Sequence, residues 1–197
     1  PYTGAGLNAT NSTIGLDTGA YTYMACASDA STENCTETRN IFAGGCQNLT
    51  NSNLTYILAS NVTSSGTCFN VTAYNITLDC QGYLINHSTS SSSYGIYSNQ
   101  NFTATKNCKI TQGIASLGYD IYYTNSFNGL IYNNTIDETF TTYGSESTID
   151  ILRGDNNNIS SNNLTTKAYY NIIVSGFGAS SSNNTIENNF IYSTATD

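Results

Sequence analysis

Two carboxylates with a nearby arginine are the strongest candidates for chemistry in this sequence. Asp120 and Asp150 occupy the same position in two successive copies of an internal repeat, and Arg153 and Asp155 follow the second one closely. Paired carboxyl groups supply the general acid and the base or nucleophile that cleave glycosidic bonds. The flanking copies, however, carry glycine and asparagine at this position, and no Lys or His joins the pair. We therefore interpret both aspartates as solvent-facing corner residues and predict no catalytic residue and no enzyme.

The other charged side chains are weaker candidates. Asp79 is expected to cap backbone N–H groups at a turn. Asp137 and Glu138 form an acidic pair in a loop, for which solvation is the favoured interpretation and weak Ca²⁺ binding the alternative. The single histidine, His87, precedes a Ser/Thr run and is predicted to be a loop residue. We predict no cofactor and no metal site.

A recurrent set of tyrosines leaves two interpretations open. They would either form a stripe on which sugars stack or pair across neighbouring strands and stabilise the sheet. The set comprises Tyr94, Tyr97, Tyr119, Tyr122, Tyr123 and Tyr170.

Charge excludes several classes of partner. Of 197 residues only 18 are charged (5 basic and 13 acidic), and the net charge is −8. Nucleic acids and anionic membrane surfaces are therefore not expected as partners, because both require clustered Lys and Arg. No run of about 20 apolar residues is present to span a bilayer. The opening Pro1-Tyr2-Thr3-Gly4 lacks signal-peptide character, so we interpret the chain as mature or truncated.

The six cysteines indicate disulfides. Their number is even, they form no Cys-x-x-Cys pair, and only one histidine is available, which disfavours zinc. An oxidising compartment is expected. The candidates are Cys26, Cys35, Cys46, Cys68, Cys80 and Cys108.

Glycosylation sequons are about twice as frequent as chance predicts. The sequence has 14 Asn-x-Ser/Thr sites, whereas its 28 Asn and 53 Ser plus Thr would give about 7 to 8. The alternative is that sequons arise as a by-product of Asn in turns and Thr on strands. Predicted glycosylation sites are Asn8, Asn11, Asn34, Asn48, Asn53, Asn61, Asn70, Asn75, Asn86, Asn101, Asn158, Asn163 and Asn183.

An internal repeat of 25 to 28 residues predicts the fold. Its closing apolar residue recurs at positions 85, 110, 136, 164 and 191, and the segments between show strand-like alternation without a helical period. This period suits one coil of a β-solenoid, whose stacked coils share a continuous core. We predict an all-β, right-handed parallel β-helix of about five coils.

Side-chain parity and corner residues refine this prediction. Within 68–72 and 75–78 the apolar residues share one face and the sequon residues the other. The pairs 107/108, 133/134, 161/162 and 188/189 are mostly Asn and fall at corners, where stacked amides form a ladder. Asn133 is both a sequon and a ladder residue, so we expect it to be unglycosylated.

The run Asn75-Ile-Thr-Leu-Asp-Cys-Gln-Gly82, together with Lys106-Asn-Cys-Lys-Ile110, resembles the right-handed β-helix proteins of the pectin-lyase-like superfamily, especially archaeal secreted and surface forms. The resemblance covers residues 46 to 191. It implies the fold and leaves function open, because this fold carries lyases, hydrolases, epimerases, adhesins and structural proteins.

We divide the chain into an N-terminal extension or cap (1–45) and a β-helix (46–197), with loops at 86–93, 137–148 and 175–182. Cys80–Cys108 is the favoured bridge because both residues lie near equivalent corners of adjacent coils. Cys46–Cys68 and Cys26–Cys35 follow by proximity. Six cysteines allow 15 connectivities.

The expected function is a subunit of an extracellular filament, appendage or sheath, with covalent N-glycans. Ile186, Phe190 and Ile191 lie in the final coil, where few residues remain to cover it, so head-to-tail association with other copies is expected. The alternatives are a carbohydrate-active or carbohydrate-binding β-helix and an adhesin.

Overall fold

A computed structural model describes residues 19–23, 26–28, 32–35, 39–43, 45–113, 118–138, 147–166 and 170–193. These ranges contain strands and turns and no helix, which confirms the all-β prediction. The predicted glycosylation sites Asn8 and Asn11 lie outside them.

Three long sheets, which we name A, B and C, build the molecule. Sheet A contains, in spatial order, β1 (Gly19–Tyr23), β4 (Arg39–Ala43), β6 (Thr55–Leu58), β9 (Thr77–Asp79), β12 (Ala104–Lys106), β15 (Leu130–Tyr132), β18 (Asn158–Ser160) and β21 (Thr185–Glu187). Sheet B contains β7 (Val62–Thr63), β10 (Leu84–His87), β13 (Lys109–Gln112), β16 (Thr135–Asp137), β19 (Asn163–Thr166) and β22 (Phe190–Ser193). Sheet C contains β5 (Gln47–Leu49), β8 (Phe69–Val71), β11 (Tyr94–Ser98), β14 (Tyr119–Thr124), β17 (Ser147–Leu152) and β20 (Tyr170–Ser175). A separate hairpin pairs β2 (Cys26–Ser28) with β3 (Glu33–Cys35).

The chain passes through sheets C, A and B in turn, and each pass stacks in parallel on the one before. The repeat's closing residues are direct register partners: Ile85 with Ile110, Ile110 with Ile136, Ile136 with Leu164, and Leu164 with Ile191. The structure is thus a parallel β-solenoid of about five turns, and the repeat period predicted its register in sheet B.

Apolar and polar side chains alternate along the strands, and the apolar ones form a core between the three sheets. Phe69, Val71, Ile76 and Leu78 are buried, whereas the intervening Asn and Thr residues are partly or fully exposed. This confirms the predicted parity, because a strand sends successive side chains to opposite faces.

A buried asparagine ladder holds the corner between sheets A and B, as predicted. Oδ1 of Asn162 accepts hydrogen bonds from the backbone N and Nδ2 of Asn134, both at 3.0 Å, and Asn189 accepts the same pair from Asn162 at 2.9 Å. Nδ2 of Asn162 also donates to the carbonyl oxygen of Ile131 at 2.9 Å. The residue before each ladder position has a left-handed backbone conformation. These residues are Asn107, Asn133, Ser161 and Asn188, with φ between 54° and 58°.

The corner between sheets C and A holds a second, shorter ladder that we did not predict. Asn157 donates from its backbone N and Nδ2 to Oδ1 of Asn184, at 2.9 and 3.0 Å. In the coil before, the backbone N of Gly129 donates to Oδ1 of Asn157 at 2.7 Å.

All three predicted disulfides are present: Cys26–Cys35, Cys46–Cys68 and Cys80–Cys108. The last one continues the buried ladder, because the backbone N of Cys108 donates to Oδ1 of Asn134 at 3.0 Å. Three disulfides indicate an oxidising environment.

The two ends of the solenoid differ. β4 pairs in parallel with β6, and β1 then pairs antiparallel with β4, so sheet A extends beyond the first coil. At the other end β20, β21 and β22 are the edge strands of their sheets. That coil exposes apolar side chains: Ile186, Phe190, Ile191 and Tyr192. The domain boundary at residue 45 stays a prediction.

The predicted equivalence of Asp120 and Asp150 is wrong. Ile121 pairs with Ile149, and Asp150 pairs with Tyr122 and Ile173. Asp120 therefore lies beside Thr148, two residues earlier in β17 than Asp150.

Candidate functional site

A buried polar cluster lies where sheet B passes into sheet C. Nε2 of His87 is 2.8 Å from Oδ1 of Asp120, and Nδ1 of His87 is 2.8 Å from the hydroxyl oxygen of Ser88. All three residues are fully buried. His87 ends β10 rather than lying in a loop, and Asp120 faces inward rather than solvent, so both of our predictions for these residues are wrong.

Burial sets the protonation of this pair. It lowers the pKa of His87 to about 4, an effect that the charge of Glu138 partly opposes. It raises the pKa of Asp120 to about 7, and hydrogen bonding with Glu138 partly offsets the rise. Between these values Asp120 is protonated and donates to Nε2 of a neutral His87, whose Nδ1–H then donates to Ser88. Glu138 is itself buried, contrary to the solvated acidic pair that we predicted, while Asp137 is exposed.

Gly95 provides the space that the pair requires. A Cβ atom at this position would lie 2.5 Å from the carbonyl oxygen of Asp120 and 3.0 Å from Cδ2 of His87. The three side chains are shielded from solvent, and the arrangement holds a proton between His87 and Asp120 within the fold. No signal in the sequence marks His87 and Asp120 as partners, since 33 residues separate them.

The predicted acid pair does not form a joint site. Asp120 is inside the solenoid. Asp150 is the register partner of Tyr122, but it is only 7 % exposed, so our prediction of a solvent-facing residue is wrong for Asp150 as well. Burial, together with the charge of Asp150, raises the pKa of Tyr122. Nη2 of Arg153 donates to the carbonyl oxygen of Phe177 at 3.1 Å. Asp155 accepts from the backbone N and the hydroxyl of Ser182, at 2.6 and 3.1 Å.

Asp79 acts at its corner as expected. Its Oδ1 accepts from the backbone N of Gln81 at 3.1 Å and from Nδ2 of Asn107 at 2.9 Å. Nζ of Lys106 is 3.3 Å from its other oxygen. The hydrogen bonds and the nearby ammonium group outweigh burial and lower the pKa of Asp79.

Four tyrosines form a stacked platform on the outer face of sheet C. The ring centroids of Tyr94 lie 5.2 Å from those of Tyr97 and Tyr122, and those of Tyr119 and Tyr122 are 4.7 Å apart. Tyr123, by contrast, is fully buried, with its hydroxyl 2.8 Å from Oγ1 of Thr105, and Tyr170 is exposed. The cross-strand interpretation holds for the four platform tyrosines, which are half-buried.

An open groove borders this platform. It has a volume of about 490 Å³, within the range of small-molecule sites. Its lining residues are Cys46, Gln47, Asn48, Thr67, Cys68, Asn70, Tyr94 and Tyr97. Two predicted glycosylation sites, Asn48 and Asn70, are thus side by side at the groove, with Nδ2 of Asn70 3.2 Å from Oδ1 of Asn48.

The predicted glycosylation sites differ in exposure. Asn34, Asn48, Asn53, Asn61, Asn75, Asn101, Asn163 and Asn183 are exposed, and Asn70, Asn86 and Asn158 are half-buried. Asn133 is exposed, and its Nδ2 donates to Oδ1 of Asn107 at 2.7 Å.

Within the described ranges, no cluster of three or more His, Cys, Asp and Glu side chains has the arrangement of a metal site. In the same ranges no helix is long and apolar enough to cross a membrane. Comparison of the chain with protein-family models, with curated proteins and with solved structures gives no match.

Proposed function

We propose that this protein is an extracellular, N-glycosylated structural protein of the cell surface, a subunit that assembles head to tail into a filament, appendage or sheath. The observation that carries the proposal is the alignment of sequon asparagines on successive coils of a rigid rod.

The clearest alignment runs along the corner between sheets C and A. Nδ2 of Asn75 lies 2.9 Å from Oδ1 of Asn53, and the backbone N of Asn75 donates to the carbonyl oxygen of Asn101 at 2.9 Å. All three asparagines are exposed sequons on consecutive coils. Adjacent coils are about 4.8 Å apart, so glycans here would form a continuous hydrophilic strip on a chain with few charges.

The interior supplies the stiffness that such a rod requires. Two asparagine ladders and two disulfides, Cys46–Cys68 and Cys80–Cys108, link successive coils. Both devices act between coils, so they resist separation of neighbouring turns along the axis.

The coil of β20, β21 and β22 supports assembly. Its three edges offer backbone N–H and C=O groups to a further strand, and the exposed Ile186, Phe190 and Ile191 would be covered by it. In our proposal a second copy supplies those strands, and a head-to-tail contact of this kind extends without closure.

Light scattering and negative-stain microscopy of the purified glycoprotein test this assembly. Wild type is expected to form filaments that lengthen with concentration, and Phe190→Lys with Ile191→Lys to remain monomeric with unchanged circular dichroism. Tyr74→Lys, which alters an equally exposed ring away from this coil, is the matched control and should assemble as wild type does. A wild type that stays monomeric at high concentration would contradict the assembly proposal.

Glycopeptide mass spectrometry tests the surface coat. We expect occupied Asn61, Asn70, Asn75, Asn101 and Asn163. Bare asparagine at these five positions would contradict the proposal. The likeness to the pectin-lyase-like superfamily and to archaeal surface β-helix proteins belongs to the same proposal and rests on sequence resemblance alone.

The tyrosine platform and its groove favour a group of alternative functions that all involve carbohydrate or surface contacts: a carbohydrate-binding β-helix, a carbohydrate-active β-helix or an adhesin. Incubation with acidic polysaccharides separates these functions. Retention of the protein on such a polysaccharide, lost in Tyr97→Ala, supports binding, and the release of unsaturated or reducing ends would indicate cleavage.

A further inference from the structure

Asn70 is a sequon residue placed directly against an aromatic surface. It is the register partner of Tyr97 in the next coil, and both side chains line the groove on the outside of sheet C. The rings of Tyr94 and Tyr122 contact Tyr97 in tilted arrangements, with centroid distances of 5.2 and 5.9 Å.

We propose that the first sugars of an N-glycan on Asn70 fold back into this groove and pack on the faces of Tyr97 and Tyr94, so that the groove is a site for the protein's own glycan. This inference rests on the proposed glycosylation.

The chemistry of the two surfaces matches. The C–H faces of a pyranose ring are apolar and slightly positive, and they pack favourably on the negative face of a tyrosine ring. Directly opposed side chains of neighbouring strands are about 5 Å apart, a separation that an amide-linked sugar ring bridges.

The contact between Asn70 and Asn48 is compatible with attachment. Nδ2 of Asn70 donates to Oδ1 of Asn48 at 3.2 Å. A glycosylated amide retains one N–H, so this bond persists and holds the amide while the sugar extends from the other position on nitrogen. Asn48 lies one coil further from the tyrosines than Asn70, because its register partner is Asn70 itself.

A double-mutant cycle tests the inference in protein from a glycosylating host. Asn70→Gln is expected to lower Tm by about 2–4 °C, and by clearly less in the Tyr97→Leu background, because the glycan then has no ring to pack on. Asn183→Gln removes an exposed sequon on the far coil and should give the same shift with or without Tyr97→Leu. A second measurement reads the contact directly and not through Tm: nitration of Tyr97 should be several-fold faster in Asn70→Gln than in wild type.

Failure of the glycan contact and failure of the proposed glycosylation give different results. Occupied Asn70 with additive Tm shifts and unchanged nitration overturns the glycan contact and leaves the surface coat intact. Coupling of Tyr97 to Asn48→Gln instead of Asn70→Gln overturns the assignment of the attachment site. Bare Asn70 overturns both the contact and the predicted glycosylation at this position.

Discussion

His87 and Asp120 form a fully buried hydrogen bond of 2.8 Å that reaches past Gly95 in the intervening strand β11. Because both side chains are buried, we expect their protonation to affect the pH dependence of stability.

The two single variants of this pair are expected to give opposite pH slopes. In His87→Gln, buried Asp120 keeps its proton up to about pH 7, while the unfolded chain releases it near 3.8, so the free energy of unfolding falls as pH rises between these values. In Asp120→Asn, the unfolded chain protonates His87 near pH 6.5 and the folded chain only near 4, so stability falls as pH decreases through that window. Each slope is at most about 1.4 kcal/mol per pH unit.

Wild type is the reference for this measurement. In wild type the contributions of Asp120 and His87 to the pH dependence of stability cancel between pH 4 and 6.5. In this range the pair holds one proton in the folded chain and one in the unfolded chain. Urea unfolding at several pH values, expressed as the difference from wild type, removes the contribution of titratable groups that do not interact with the pair. Glu138 interacts with both residues, so its change is part of the measured slope. Slopes of the same sign in both variants would contradict the assigned protonation states.

Gly95→Ala is expected to destabilise the fold by about 1–3 kcal/mol, the usual cost of overpacking. The added methyl group would contact the Asp120 backbone, which cannot move without disturbing β14. Gly45→Ala is the control, since a Cβ there meets no atom within 4 Å. Chemical denaturation compares the two, and equal stability of both variants would show that the strands separate easily.

Asn162→Leu should be among the most destabilising single substitutions in the solenoid. It removes the acceptor for the backbone N and Nδ2 of Asn134 and the donor to Ile131, and each buried group left unpaired costs about 1–3 kcal/mol. Lys109→Leu, an exposed change in the adjacent sheet, should have an effect within about 0.5 kcal/mol. Thermal unfolding measures both; a mild effect of Asn162→Leu would show that water replaces the ladder.

Replacing the Cys80–Cys108 disulfide by asparagines tests whether the ladder can extend toward the N-terminus. Cys80→Ser with Cys108→Ser is expected to cost about 3–4 kcal/mol, given a sequence separation of 28 residues. Cys80→Asn with Cys108→Asn should recover part of this loss, because position 108 already donates to Asn134. Equal Tm values for the two double variants would show that asparagines at positions 80 and 108 do not extend the ladder.

Much of the fold was predictable because each coil of a solenoid places the same residue types at equivalent strand and corner positions. Ile110, Ile136 and Leu164 recur at nearly constant spacing, and the ladder positions Asn134 and Asn162 follow from the same period. Disulfide pairing followed as well, since stacked corners bring cysteines such as Cys80 and Cys108 together.

The buried cluster was not predictable for the same reason. A local motif match aligned Asp150 with Asp120, an offset of 30 residues (150 − 120). The pairing of Ile121 with Ile149 gives an offset of 28 (149 − 121), and only strand pairing reveals this difference. The burial of His87 likewise depends on Gly95 and Asp120 in later coils. Neither the Ser/Thr run after His87 nor its polar character indicates an inward orientation.

One column of the solenoid changes its bonding along the axis. Cys80 and Cys108 are joined covalently, whereas Asn134, Asn162 and Asn189 are joined only by amide hydrogen bonds. A pulling force or a slow rise in temperature would therefore separate the coils that contain Asn134, Asn162 and Asn189 before it separates the two coils that the disulfide joins. Resistance to unfolding therefore differs along the solenoid axis: it is higher where the disulfide joins two coils and lower where only hydrogen bonds do.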